Sequence, residues 1–172
     1  GTVPFSTLLK EAKEKGYTEP DPRDDLSGMD VARKTVILAR EIGFQVEVSD
    51  ISVVSLVPEQ LQHASLADFM KHAWMLDEPI KQLYEQASSH QKVLRYVGTV
   101  ERDGSCHVEL GAYESDHAFA RAQGTDNVVA FITDRYDTQP LVIRGPGAGP
   151  QVTAGGVFAD LLRLSSYLGA RL

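Results

Sequence analysis

The sequence predicts an α+β fold in which helices flank a mostly antiparallel, mixed sheet. Apolar residues recur at helical spacing in the first half of the chain, between residues that favour helix ends. Alternating, strand-like segments follow, and an apolar stripe of helical spacing closes the chain. With 172 residues, 42% of them hydrophobic, and no shift in composition, residues 1–172 are predicted to form one domain.

Two helices are predicted near the N-terminus. The first covers residues 7–15, with Ser6 as its N-cap and Gly16 ending it in the left-handed conformation. The second covers residues 28–42, with Ser27 as its N-cap, and ends at Gly43. Residues 17–25 lie between them as a loop that two prolines stiffen, and this loop carries four carboxylates and one arginine.

The rest of the chain alternates between the two kinds of element. Short strands are predicted at residues 45–48 and 51–57, helices at 64–72 and 78–88, and strands at 92–101, 105–113, 127–135 and 141–144. Asp103-Gly104 predicts a type I′ hairpin turn, because that turn needs positive φ. A last helix reaches about residue 168, and its apolar stripe consists of Val157, Leu161, Leu164 and Leu168.

Composition excludes some classes of function. The net charge of −7 argues against nucleic-acid partners and anionic membranes, since both require a basic patch. No apolar run approaches the length that spans a bilayer, and residues 1–15 lack the apolar core of a signal peptide. The single cysteine fits a reducing compartment, so the prediction is a cytoplasmic protein.

Asp30 and Lys34 lie four residues apart on the second predicted helix and therefore share a face. Such a pair can be functional, but on spacing alone an exposed surface ion pair is the better interpretation. The loop carboxylates can likewise be solvated groups that suit the start of a helix.

Residues 16–34, GYTEPDPRDDLSGMDVARK, resemble the signature of homoserine dehydrogenases without a gap. The resemblance continues through residues 92–98, KVLRYVG, and through the glycine-rich segment near the C-terminus. Together with residues 157–162, VFADLL, the segment around Lys92 looks most like the C-terminal half of bifunctional aspartokinase–homoserine dehydrogenases. The resemblance thus covers nearly the whole chain and implies the substrate-binding and dimerisation domain of that family.

The resemblance implies an oxidoreductase that interconverts L-homoserine and L-aspartate 4-semialdehyde, in threonine and methionine biosynthesis, with NADP or NAD as the hydride carrier. Hydride delivery to an aldehyde makes an alkoxide, which needs a proton donor. The motif places Lys34 at the proton donor and Glu19 and Asp30 at the acids that bind homoserine. Further expected substrate contacts are Asp25, Tyr17 and Thr18, whereas Asp21, Arg23 and Asp24 are expected to brace the loop.

Gly145-x-Gly147-x-Gly149 lies between a predicted strand and the last helix. Taken alone the pattern is weak, since such loops often only turn the chain, and it is not the dinucleotide fingerprint. The resemblance implies that residues 145–172 contribute to the cofactor side, with backbone contacts at Gly149 and Gly147. Pro150 departs from the expected small residue and removes one N–H.

Several conspicuous residues are interpreted as structural. Cys106 could suggest a thiol enzyme, but its place on the apolar face of a strand favours a buried small hydrophobe. The five histidines lack metal-ligand spacing, so no metal site is predicted. Phe69, Trp74 and Tyr84 are most simply core residues.

Two hypotheses remain for the chain. It is either the catalytic part of an NAD(P)-dependent homoserine dehydrogenase, whose nucleotide-binding domain is expected upstream of Gly1, or a folded dimerisation module with no activity of its own. The first predicts a small-molecule substrate, a homodimer or higher homo-oligomer, and no activity for the isolated 172 residues.

Overall fold

A computed structural model describes residues 3–147 and 149–169, which form two compact units, Gly1–Ser115 and Asp116–Leu172. The α+β class is confirmed, with small sheets flanked by helices. No shift in composition marks the boundary between the units. Each unit is described by itself below.

The first unit contains six α-helices, three strands and two short 3₁₀ segments among its described residues. In chain order these are α1 (Phe5–Glu14), α2 (Pro22–Leu26), α3 (Met29–Glu41), a 3₁₀ turn (Val48–Asp50), β1 (Ser52–Val53), α4 (Glu59–Gln62), α5 (Leu66–His72), a second 3₁₀ turn (Ala73–Leu76), α6 (Asp77–Ser89), β2 (Lys92–Val100) and β3 (Cys106–Glu114).

The three strands form one mixed sheet in the order β1-β3-β2. β2 and β3 are antiparallel over their full length, from Lys92 opposite Glu114 to Val100 opposite Cys106. β1 pairs with β3 in the parallel direction. The predicted type I′ turn is wrong, because only Gly104 has positive φ, at 88°. A longer loop joins the strands, in which Gly104 donates its N–H to the Glu101 carbonyl at 3.0 Å.

Two apolar clusters hold this unit together. One joins α1, α2, α4 and α5 around the fully buried Phe69, and the other joins α3 to β3 around Val108. Gly98 of β2 lets α3 pack closely, since a Cβ there would overlap the Oγ1 atom of Thr35. Cys106 is buried in the second cluster, as predicted.

Several predicted elements of this unit are wrong in detail. Ser6 is not a cap: it lies inside α1, and its N–H and Oγ donate to the Asp77 carboxylate at 2.7 and 2.8 Å. The predicted strand at 45–48 is absent, and the one at 51–57 shrinks to Ser52–Val53. Both segments lie beside the sheet and contribute apolar side chains to its core, which explains their strand-like composition.

Two of the three aromatic residues predicted for the core are not there. Trp74 is 62% exposed and Tyr84 is also exposed, whereas Phe69 is buried as predicted. Helical spacing alone does not separate a core aromatic from one on the opposite face.

The second unit consists of β4 (Asp126–Phe131), β5 (Leu141–Pro146) and α7 (Pro150–Tyr167). β4 and β5 are antiparallel, from Asp126 opposite Pro146 to Phe131 opposite Leu141, so the predicted strand at 127–135 ends early. The predicted apolar stripe of α7 lies on the surface of the chain, with all four of its members exposed. Within the described part of the chain, no helix has the length and apolar character that crossing a membrane requires.

Candidate functional site

The acidic segment begins where α1 ends. Gly16, at φ 70°, donates its N–H to the Lys13 carbonyl, and Tyr17 donates to the Ala12 carbonyl at 2.9 Å. These two bonds form a Schellman motif, so Gly16 ends the helix in the predicted way. Tyr17 is thereby turned outward, with 79% of its surface exposed.

The segment predicted as a loop contains the short helix α2. Asp21 is its N-cap, since Oδ1 accepts the Arg23 N–H at 3.0 Å, and Pro22 occupies the first helical position. The prediction missed this helix because two prolines within three residues favour extended backbone, whereas proline is also well suited to a first helical turn.

Glu19 and Asp25 are brought together across α2. The Glu19 N–H donates to Oδ2 of Asp25 at 2.9 Å, and the Thr18 hydroxyl donates to the Glu19 carbonyl at 2.9 Å. The backbone of residues 18–20 is also held by Lys13, whose ammonium donates to the Pro20 carbonyl. The Glu19 backbone therefore has a defined position although it lies on an exposed loop.

Asp30 and Lys34 lie on α3, one helical turn apart. The Lys34 ammonium is 2.8 Å from Oδ2 of Asp30, and the two side chains are 56% and 62% exposed. An exposed ammonium held by a carboxylate is a proton donor that a ligand can reach.

The prediction of Ser27 as the N-cap of α3 is wrong. Gly28, at φ 78°, is the cap, and Ser27 Oγ only accepts the Met29 N–H at 3.4 Å.

An open groove of about 470 Å³ lies beside α2 and β1. Its lining residues are Asp21, Arg23, Asp24, Ser27, Met29, Val53, Ser55, Val57 and Gln62. Glu19, Asp30 and Lys34 are not among them. No sequence motif marked Ser55 or Gln62, because they come from elements distant in sequence and only the fold brings them to the groove.

The glycine-rich segment belongs to the second unit. Gly147 donates its N–H to the Thr125 carbonyl at 2.7 Å, and a Cβ on Gly147 would overlap the side-chain amide of Asn127. Gly149, at φ 134°, precedes Pro150, the first residue of α7. Apart from its chain neighbours, no described residue has an atom within 4 Å of the place that a Cβ on Gly149 would occupy, so the described structure leaves room for a ligand beside this backbone.

The described residues contain no cluster of three or more histidine, cysteine or acidic side chains that could hold a metal ion. Burial, and secondly the charge of Asp103, raise the pKa of the Cys106 thiol. A buried thiol with a raised pKa is a poor nucleophile, which favours the structural interpretation of Cys106.

Solved structures define the class of this fold. A Candida auris protein described as of unknown function has a TM-score of 0.89 and 44% identity, over 96% of this chain and 47% of that one. A Staphylococcus aureus homoserine dehydrogenase, at 24% identity, has a TM-score of 0.69 over 98% of this chain and 38% of its own. The latter likeness concerns the fold alone. The fold is that of an α+β domain found in homoserine dehydrogenases.

The chain belongs to the homoserine dehydrogenase family, whose profile matches residues 1–162. It is 57% identical to the maize "bifunctional aspartokinase/homoserine dehydrogenase 2, chloroplastic", over 99% of this chain and 19% of that protein. It is 45% identical to the Schizosaccharomyces pombe homoserine dehydrogenase, over 99% of this chain and 46% of that protein. The chain therefore spans less than half the length of these relatives, which belong to an oxidoreductase family of amino-acid biosynthesis.

Proposed function

We propose that this chain supplies the substrate-binding and proton-transfer part of a homoserine dehydrogenase. The reaction is the NAD(P)-dependent interconversion of L-homoserine and L-aspartate 4-semialdehyde, in threonine and methionine biosynthesis. The observation that carries the proposal is the exposed Asp30–Lys34 pair on α3, within the segment that matches the family.

Lys34 is the proposed proton donor. The nicotinamide cofactor, when bound, supplies or accepts the hydride, and the residues of this chain handle the proton. The Lys34 ammonium donates a proton to the developing alkoxide during reduction, and its neutral form accepts one during oxidation. Asp30, at 2.8 Å, orients the ammonium and stabilises its charge.

The same segment supplies the proposed substrate contacts. The α-ammonium group of homoserine needs carboxylate partners, and we assign Glu19 and Asp30 to it. Asp25 orients Glu19 through the bond to its N–H, and Tyr17 and Thr18 directly precede Glu19 in the sequence. The exposed Tyr17 ring is available to cover the substrate.

The cofactor contacts are proposed for the backbone of Gly147 and Gly149. The support is local: Gly149 is the N-cap of an 18-residue helix, whose free N–H groups favour an anion, and it is open to the described residues around it. Gly147 lies two residues earlier, and its own N–H is donated to the Thr125 carbonyl. Pro150 removes one of those N–H groups.

Three further proposals concern the protein as a whole. The 172 residues alone do not turn over homoserine, because the relatives extend well beyond the matched segment. The enzyme is a homodimer or higher homo-oligomer. A cytoplasmic location stays a prediction, since the names of the maize relatives include "chloroplastic".

The test of Lys34 uses a chimaera, in which residues 1–172 replace the matching segment of the S. pombe enzyme. We expect Lys34→Ala to lower kcat for NADPH oxidation with aspartate semialdehyde by about 10²-fold or more. Lys81→Ala is the matched control, because Lys81 has a similar exposure and pairs with Glu85 one turn away. Circular dichroism checks that both variants fold.

Near-normal turnover by Lys34→Ala would show that the proton donor lies elsewhere. The Asp30–Lys34 pair would then be an ordinary ion pair on the surface of α3. An equal loss in Lys81→Ala would also contradict the proposal, because it would make the effect one of general charge or stability.

A further inference from the structure

We propose that Arg23 is a positioning residue for the substrate, which holds Glu19 and Asp25 in place by anchoring α2 to the helices around it. The inference rests on the proposed function, since it assigns to Arg23 the placement of two residues that are proposed to serve homoserine. Arg23 itself is not assigned any contact with substrate or cofactor.

One side of the Arg23 guanidinium binds the backbone at the C-terminal end of α4 and just beyond it. Its Nη1 atom donates to the carbonyls of Leu61 and Gln62 at 3.2 Å each and to the carbonyl of Ala64 at 2.6 Å. The group also lies over the ring of the fully buried Phe69, 5.5 Å from its centroid. These contacts fix α2 to a segment about forty positions away in sequence.

The other side binds Asp21. Nε donates to both carboxylate oxygens of Asp21, at 3.0 and 3.1 Å, and Nη2 donates to Oδ2 at 2.5 Å. The same carboxylate caps α2, so Asp21 both begins the helix and binds the arginine that anchors it. The Arg23 side chain is only 18% exposed, which strengthens these bonds relative to those of a solvated ion pair.

The anchor reaches the proposed substrate site through α2. A five-residue helix has too few hydrogen bonds to be stable alone, so α2 depends on tertiary contacts such as those of Arg23. Asp25 lies on α2, two residues beyond Arg23, and its carboxylate accepts the Glu19 N–H at 2.9 Å. Releasing Arg23 should therefore loosen Asp25 and then Glu19.

Lysine cannot replace this arginine. Arg23 binds a carboxylate on one side and three carbonyls on the other at the same time, which requires a planar group with several donors. An ammonium is a compact charge that can keep one side or the other. We therefore expect Arg23→Lys to fold and yet to bind homoserine poorly.

The experiment measures homoserine oxidation by the chimaera carrying Arg23→Lys or Arg23→Ala. We expect KM for homoserine to rise about tenfold or more while KM for the cofactor changes by less than about twofold, because displacement of a positioned group affects the ligand it serves. Arg40→Ala is the matched control: Arg40 also binds a carbonyl, that of Val46, and a carboxylate, that of Glu47, but on α3. It should leave both KM values unchanged.

Chemical rescue separates positioning from folding. Millimolar guanidinium should lower KM for homoserine in Arg23→Ala, since the vacated site opens on the groove beside α2, whereas equimolar urea should not. If Arg23→Ala does not fold, Arg23→Lys decides the question. KM values for both substrates that rise together, or a rise equal to that of Arg40→Ala, would overturn the inference.

Glu19→Gln distinguishes this inference from the proposed function. If Glu19→Gln raises KM for homoserine and the Arg23 variants do not, the role of Arg23 is wrong and the substrate site stands. If Glu19→Gln leaves KM unchanged, the assignment of Glu19 to the substrate fails, and the inference about Arg23 fails with it.

Discussion

At the scale of single residues, the contact between Gly28 and Tyr96 sets where α3 begins. Gly28 has φ 78°, and a Cβ there would lie 2.8 Å from two carbons of the Tyr96 ring. The Tyr96 hydroxyl donates to the Val54 carbonyl at 2.6 Å, which holds the ring against the glycine. Burial raises the pKa of Tyr96, so the phenol stays protonated and keeps this bond. The N-cap of the helix that carries Lys34 is thus held against the sheet.

Gly28→Ala should lower the free energy of unfolding of the chain by more than Gly16→Ala does. Both glycines have positive φ, which costs an alanine roughly 1–2 kcal/mol, but no described residue beyond the chain neighbours lies within 4 Å of a Cβ placed on Gly16. The overlap with Tyr96 adds about 1–3 kcal/mol to the cost at Gly28. Urea denaturation of both variants gives the comparison.

Tyr96→Ala offers an internal check of this explanation. Combined with Gly28→Ala it should destabilise by less than the sum of the single changes, because the ring that causes the overlap is gone. Strict additivity, or equal losses in Gly28→Ala and Gly16→Ala, would show that the ring does not restrict this position.

At the scale of elements, α2 combines local and distant stabilisation. Its cap, Asp21, and its first residue, Pro22, are properties of the local sequence. Its anchor, Arg23, works only when α4 and α5 are in place. Hydrogen bonds from the Arg23 guanidinium, above all, hold the pKa of Asp21 below its ordinary value of 3.8.

The lowered pKa predicts how stability changes with pH. A carboxylate with a lower pKa in the folded state contributes stability above its unfolded pKa, and this contribution is lost as pH falls through the folded pKa. The stability difference between wild type and Asp21→Asn should therefore be full at neutral pH and shrink once pH falls below about 4. Asparagine also caps helices well, so the difference reports mainly the charge.

Urea unfolding at a series of pH values checks this expectation. Asp160→Asn on α7 is the control, since Asp160 is highly exposed and lies 3.9 Å from Arg163. A stability difference for Asp21→Asn that stays constant down to acidic pH would contradict the role of the charge.

At the scale of the whole chain, the most informative feature is the exposed apolar surface of α7. Within the described residues, Val157, Phe158, Leu161 and Leu164 are each more than half exposed, so this 18-residue helix presents a contiguous apolar surface. Large exposed apolar patches are typical of interaction sites, so this surface favours the hypothesis that the chain is a folded dimerisation module.

We expect the isolated 172-residue chain to give no rise in absorbance at about 340 nm, the signal of reduced nicotinamide, with NADP and homoserine, in contrast to the chimaera. Robust turnover by the isolated chain would contradict the proposal that other parts of the enzyme are needed. Sedimentation of the same sample tests association: a monomer argues against the association module. An inactive oligomer fits both hypotheses, which are then separated by the chimaera, since only a catalytic part supports turnover there.

Much of the chain was predictable from local pattern. The hairpin of β2 and β3, the helices α1, α3, α5, α6 and α7, and the glycine ends at Gly16 and Gly43 follow from periodicity and capping. The site residues were predicted through the motif in residues 16–34, and the structure places Asp30 beside Lys34 and Asp25 beside Glu19. Their roles in catalysis stay predictions.

The features that hydrophobic periodicity does not predict depend on contacts with distant parts of the chain. The short helix α2 needs Arg23 and the carbonyls at the end of α4, the cap of α3 needs Tyr96, and Ser6 pairs with Asp77. Local sequence is enough to predict which segments can be helix or strand and where glycine must turn the chain, because these are local properties of the backbone. The pairing of polar groups, the burial of aromatic rings and the folding of short segments follow from the packed fold, because they depend on contacts between residues far apart in sequence.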